Sequence, residues 1–185
     1  MKKGLITIIA VAVIVTGYVW MTYNKLIATN EAIDNQWAQV ETQYQRRIDL
    51  IPNLVESVKG VMVQEQKIFG DLAEARSHYA GATDSNQKAE AATQIDGALS
   101  RLLAIMENYP QLKSADNVQT LMAQLEGTEN RISVERKKYN DNVNSFNVMI
   151  KQIPAKWIAS SLGFSEKNYF EAVKGSENTP VVNLK

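Results

Sequence analysis

Residues 4–23 read GLITIIAVAVIVTGYVWMTY, a run without a charged side chain and built mainly from Leu, Ile, Val and Ala. As a helix it measures about 30 Å, the hydrocarbon thickness of a bilayer. A buried core helix normally keeps one polar face. This run is apolar all round except at Thr7, Thr16 and Thr22, whose hydroxyls can bond back to the helix backbone. Tyr18, Trp20 and Tyr23 cluster at its C-terminal end, where amphipathic rings sit well at headgroup level. The run predicts a transmembrane helix around which the rest of the chain is arranged.

A cleaved signal peptide also starts with a short basic region such as Met1-Lys2-Lys3. The small-residue triplet Ala10-Val11-Ala12 is badly placed for cleavage, because a cut there leaves Val13-Ile14-Val15 as a new apolar end. Without cysteine there is no lipoprotein processing either. The reading is an uncleaved anchor. Lys2 and Lys3 precede the span and only Lys25 follows closely, so residues 1–3 are expected in the cytoplasm and the body outside the bacterial inner membrane.

Past the anchor, about 160 residues remain, enough for one domain with a real core. Lys plus Arg and Asp plus Glu number 20 each, giving zero formal net charge. A nucleic-acid binder would usually carry a basic excess. The lack of cysteine removes any disulfide framework and any thiolate site.

Apolar residues in the body recur at helical spacing. The first stripe is Leu26, Ile33, Trp37, Val40, Tyr44, Ile48 and Ile51, a possible continuation of the membrane helix into solvent, with a kink or restart expected at Pro52. The second runs from Leu54 to Tyr79 and carries Glu65 where an apolar residue is the default. A loop follows at residues 80–85, with Asp84 or Ser85 as N-cap. The third helix holds Ala91, Ile95, Leu99, Leu102 and Met106, and ends at Tyr109-Pro110. Ser114 or Asp116 can cap the fourth, which should run to about Ile153. Pro154 opens a short amphipathic piece over 155–162, closed by Gly163. Residues 175–185 show no helical pattern and read as extended or disordered. No strand pattern or repeat is visible. The expected fold is all-α: a single transmembrane helix (4–23), an antiparallel four-helix-type bundle (24–174) with coiled-coil-like packing, a short C-terminal helix and an extended tail.

Catalytic signatures are missing. The one histidine, His78, lies four residues after Glu74, whereas a bundle di-iron site needs Glu-x-x-His spacing twice; a structural or solvent-facing role is the plainer reading. There is no His-Glu-x-x-His, no Gly-x-Ser-x-Gly and no phosphate-binding glycine loop. No cofactor or metal is called for. What does stand out is polar residues set within apolar periodicity. Arg46, Arg47, Asp49, Asn53 and Glu56 crowd around Pro52, with Glu65 downstream. Glu129 and Arg136 lie near the stripe of the fourth helix, and Asn140 and Asn147 face one way at a heptad interval. Half-buried polar groups need partners. The plain reading is pairing across helices that fixes their register; the functional reading is a binding surface or a subunit contact. Trp157 is the better interface candidate, because it lies on a short helix outside the main bundle.

These residues resemble the LemA family of bacterial membrane proteins over nearly everything after the anchor. The match is carried by Arg46-Arg47-x-Asp49-Leu50-Ile51-Pro52-Asn53-Leu54-Val55-Glu56-x-Val58-Lys59-Gly60, with Trp37 before it and Glu65 after it. Glu107-x-Tyr109-Pro110-x-Leu112-Lys113 is a second piece. The third runs from Thr128-Glu129-Asn130-Arg131-Ile132 through Arg136, Tyr139-Asn140, Phe146-Asn147 and Pro154 to Gly163-Phe164 and Phe170-Glu171. Val61 and Gln64 depart from the usual tyrosine and histidine, which weakens any family-wide metal site there. The resemblance implies a single-pass membrane protein with a mostly helical body and implies no reaction; a related branch is associated with magnetosome membranes.

The leading expectation is a non-enzymatic, membrane-anchored scaffold or adaptor of the cell envelope. Its partners would be the lipid bilayer and either copies of itself or other envelope membrane proteins. The alternatives are a membrane-remodelling or envelope-stress protein using residues 154–164, and, last, an enzyme using the charged stretch 46–59.

Overall fold

The computed structural model describes residues 2–170. It holds six helices and no strand among them: α1 (Lys2–Val58), α2 (Gln66–Gly81), α3 (Ser85–Met106), α4 (Pro110–Lys113), α5 (Asp116–Lys151) and α6 (Ala155–Ser161). The all-helical expectation holds. The tail expected at 175–185 lies outside the described residues.

The membrane span and the first body stripe are one uninterrupted helix. Within α1 a stretch is long and apolar enough to cross a membrane, and none of it is buried inside the protein. Of the kink or restart expected at Pro52, the restart is absent: α1 passes through Pro52 and ends at Val58. A proline costs one helical bond, because its nitrogen has no hydrogen for the carbonyl four residues back. Ile51, Leu54 and Val58 are almost completely covered on either side of it, and burial on that scale outweighs one bond.

The chain turns instead at residues 59–65. Val61 and Met62 N–H groups both donate to the Val58 carbonyl at 3.0 Å, and Glu65 N–H donates to Met62 O at 3.1 Å. Glu65 is the residue before α2 and its side chain makes no capping bond. Asp84 does cap α3, its Oδ1 accepting from the N–H groups of Asn86 and Gln87 at 2.9 Å each. Neither candidate cap of α5 is used as expected, since Asp116 already lies in the first turn, where its charge suits the helix dipole. Gly163, with φ of 75°, follows α6 in the left-handed conformation that glycine adopts at least cost.

The described chain falls into two compact units. The first comprises residues 2–39 and 135–169. Leu26 and Ile33 of α1 are buried there, as are Tyr139, Val143 and Phe146 of α5 and Ala155 and Ala159 of α6. Trp37 meets Tyr139 edge-on with ring centres 5.6 Å apart. The second comprises residues 40–134 with Phe170. Its core takes Tyr44 and Ile51 from α1, Leu72 and Tyr79 from α2, Ile95 and Leu102 from α3, and Leu125 and Ile132 from α5.

Candidate functional site

The second unit holds the strongest polar arrangement in the described chain, and Arg47 is its centre. Helical spacing puts Arg47 on the same side of α1 as Tyr44 and Ile51, so it is carried inward with them. Its side chain is 7% exposed. Burial of a guanidinium demands compensating charge. Two helices supply it. Arg47 Nη1 donates to Asp96 Oδ1 of α3 at 2.5 Å, and Nη2 donates to Glu129 Oε2 of α5. The Tyr44 hydroxyl donates to the other Asp96 oxygen at 3.1 Å. The two arms differ: the Asp96 side chain is 16% exposed and that of Glu129 52%. The Asp96 contact is therefore the desolvated one, and Glu129 closes the cluster at its rim. Arg47 Nε is buried with no hydrogen-bond partner among the described residues.

Beside this cluster an open groove of about 900 Å³ runs between the C-terminal half of α3 and the N-terminal half of α5. Leu99, Met106, Val118 and Leu125 form its buried floor, and half-buried Leu103 and Met122 offer the reachable apolar surface. Glu107, Glu126 and Glu129 stand along it, while Arg47, already matched by two carboxylates, is its one cation. A greasy floor with an acidic border suits a basic amphipathic helix better than a small anion.

The other predicted residues separate into two groups. Arg46 is exposed and shares a smaller recess of about 420 Å³ with Leu50, Gln124, Thr128 and Arg131. Asp49 accepts from Gln45 at 2.8 Å on the outer face of α1. Asn53 is exposed, and Glu56 pairs with Lys59 at 2.5 Å. The dense charged run around Pro52 therefore divides between a buried side, Arg47 alone, and a solvated one. Asn147 belongs to the first unit and is buried: its amide donates to Lys167 O and accepts from Lys167 N, both at 2.9 Å. Tyr139 donates to Asn168 O at 3.3 Å, so residues 167–168 are tied along α5. Arg136 and Asn140 are half-buried on α5, and Trp157 is 66% exposed on α6.

Electrostatics sharpen this picture at three positions. Burial, with Glu41 nearby, pushes the Tyr79 phenol well above its ordinary range. Burial likewise raises Tyr139, helped by Asp34. The Glu135 carboxyl is held low by hydrogen bonds from Lys138 first and Gln36 second, the Gln36 amide lying 2.6 Å from its oxygen. None of these places a general acid or base near neutral pH. His78 faces solvent and contacts Gln94 at 2.9 Å. Among the described residues no cluster of three or more Asp, Glu or His side chains could hold a metal ion.

The sequence reading missed Asp96, the more buried of the two acids on Arg47. It lies between Ile95 and Leu99 on the inner side of α3. An acid wedged beside an apolar stripe was the available signal.

The sequence profile of the LemA family matches residues 36–184. The chain belongs to the LemA family. The matched region contains Arg47, Asp96 and Glu129 and both walls of the groove. Among curated relatives, the magnetosome protein MamQ 2 of Paramagnetospirillum magneticum is 27% identical, covering 88% of this chain and 69% of the relative. The magnetosome protein MamQ of Magnetospirillum gryphiswaldense is 28% identical over the same shares. As a LemA-family protein with an uncovered apolar helix, the chain is a membrane protein, and neither the family nor these relatives bring a known enzymatic reaction.

Proposed function

We propose that this LemA-family protein is a non-enzymatic, membrane-anchored helical adaptor of the bacterial cell envelope, which joins copies of itself or other envelope proteins through its groove. The observation that carries the reading is the groove between α3 and α5: a large, open, apolar trough with an acidic border, on an all-helical body attached to a bilayer-length helix. Helices bury apolar stripes in such troughs. The Arg47 cluster supports an architectural role, because an arginine joined to two acids ties α1, α3 and α5 together in one register.

In this reading the body is an antiparallel bundle. The order of contacts supports it, with Gln36 on Glu135 and Ala32 on Asn142, so that position falls on α1 as it rises on α5. The body stands outside the inner membrane with residues 1–3 in the cytoplasm, following the balance of lysines around the span. The resemblance to magnetosome proteins supports the membrane setting.

The test is a photo-crosslinking residue placed at Met122 of the full-length protein in native membranes, with a second at Leu103. Discrete adducts are expected, of dimer mass or with a second envelope protein, and Glu126→Lys should weaken them. A protein that stays monomeric and forms no adduct from either position would overturn the adaptor reading.

A further inference from the structure

One apolar surface of the first unit serves neither the Arg47 cluster nor the groove. Ile153 is 69% exposed, Trp157 66% and Leu162 46%. They fall within ten residues on and around α6, a density of uncovered large side chains that a water-facing surface rarely keeps. Lys156 is the neighbouring cation.

Its position follows from contacts inside that unit. Gln36 bonds Glu135, Trp37 meets Tyr139, and Asn142 donates to the Ala32 carbonyl at 3.2 Å. Both helices rise by the same amount per residue, so the pairing continues at about one residue for one and brings the end of α5 beside residues ~22–24 of α1. The burial pattern agrees. Residues 3–21 of α1 are exposed throughout, and cover begins at Thr22 and Leu26, which are 9% and 0% exposed. The rest of the unit thus closes on α1 where the apolar run stops, at the level of Tyr18, Trp20 and Tyr23.

We propose that α6 with its flanking residues is a second lipid contact. It lies in the interfacial layer beside the span, with Ile153, Trp157 and Leu162 among upper acyl chains and Lys156 at the phosphates. A tryptophan whose ring is apolar and whose N–H needs a wet partner is suited to that layer, and a short amphipathic piece gains affinity there that it lacks alone because the span already holds it at the surface. The occupant is lipid rather than protein because the register of α1 against α5 brings the patch to the level at which a bilayer-length helix ends, within the same compact unit. The inference rests on the reading of residues 4–23 as membrane-crossing.

The chain has three tryptophans, Trp20, Trp37 and Trp157, which gives an internal control. The full-length protein is placed in phosphatidylcholine nanodiscs containing lipid spin-labelled near the headgroup. One variant, Trp20→Phe with Trp37→Phe, keeps only Trp157; the other, Trp37→Phe with Trp157→Phe, keeps only Trp20. The expected result is quenching of both by the labelled lipid, at least about twofold for Trp157, with Trp157 sheltered from aqueous iodide. If Trp20 is quenched by lipid and Trp157 only by iodide, the second contact is overturned while the anchor stands. If Trp157 is sheltered from both, protein covers the patch and the inference fails. If Trp20 is untouched by lipid, the anchor reading fails and takes the inference with it. Should these variants not fold, the cysteine-free chain accepts a single reporter. An environment-sensitive dye on Leu162→Cys is expected to emit as in a lipid interface, and water-like emission would overturn the proposal.

Discussion

Arg47 illustrates why a buried ion pair is better judged by what its removal leaves behind than by its attraction. Arg47→Ala strands Asp96, whose side chain is only 16% exposed, so the full-length protein in detergent is expected to lose about 3 to 5 kcal/mol against denaturant. Replacing the arginine and its desolvated partner with apolar residues, Arg47→Met with Asp96→Leu, should cost far less, because the one carboxylate left without its arginine, Glu129, is 52% exposed and can be solvated. Equal losses in the single and the double variant would show that packing, not charge, holds this position. Tyr79 makes the opposite case. Its hydroxyl is buried without a partner among the described residues, so Tyr79→Phe removes an unsatisfied group and should stabilise the fold by about 1 kcal/mol at neutral pH. The folded state also holds this phenol protonated beyond the pH at which the unfolded chain releases its proton. This phenol therefore adds no pH dependence below about pH 10, and above it stability declines by up to about 1.4 kcal/mol per pH unit. Melting curves from pH 9 to 11 should fall less steeply for Tyr79→Phe than for the parent, and parallel curves would refute the assignment. Arg47 and Glu129 stood out in the sequence; Asp96 did not. Periodicity tells which side of a helix a residue occupies, but Arg47 and Asp96 are 49 positions apart, and no local pattern reports a cross-helix distance.

At the scale of helices, Pro52 and Asp84 test how far local rules reach. Pro52 lies inside α1 and leaves the Ile48 carbonyl without its usual donor. Pro52→Ala restores that bond and removes the ring clash, so thermal unfolding should shift upward by an amount corresponding to about 1 to 3 kcal/mol. A drop would mean that a bend at Pro52 is needed by the packing around it. Asp84→Ala should cost about 1 kcal/mol, the usual effect of losing an N-cap, and hydrogen exchange should quicken first at Asn86 and Gln87, whose N–H groups it now accepts. Most helices were legible because their buried faces repeat at helical spacing and their starts carry turn chemistry. The first break was misplaced for a physical reason. Met62 is 0% exposed although it lies in the turn, so the apolar rhythm of Val58, Val61 and Met62 runs straight through the place where the helix stops. A buried turn imitates a helix in sequence, while a proline on a well-packed helix imitates a break.

For the molecule as a whole, the bilayer-length run and the first part of the body belong to one helix, Lys2–Val58. The charge balance around that run is slight, since Lys2 and Lys3 precede it and Lys25 follows, yet those residues lie within the distance over which the translocation machinery reads basic charge. Arg46 and Arg47 are too far along to compete strongly, and Arg47 is matched by acids in the folded state. The body should therefore be exported. Asn86 is exposed at the start of α3, and the chain has no competing cysteine. Asn86→Cys should react with a membrane-impermeant maleimide on intact spheroplasts, to the same extent as after lysis. A cysteine at Lys3, on the other side, should react only after lysis. The reverse pattern would place the body in the cytoplasm, leaving the anchor and the Arg47 cluster intact but moving the groove to the opposite compartment. Reaction at both positions before lysis would mean that residues 4–23 do not cross the membrane, and the fold would then have to find cover for an apolar helix that its own body leaves bare.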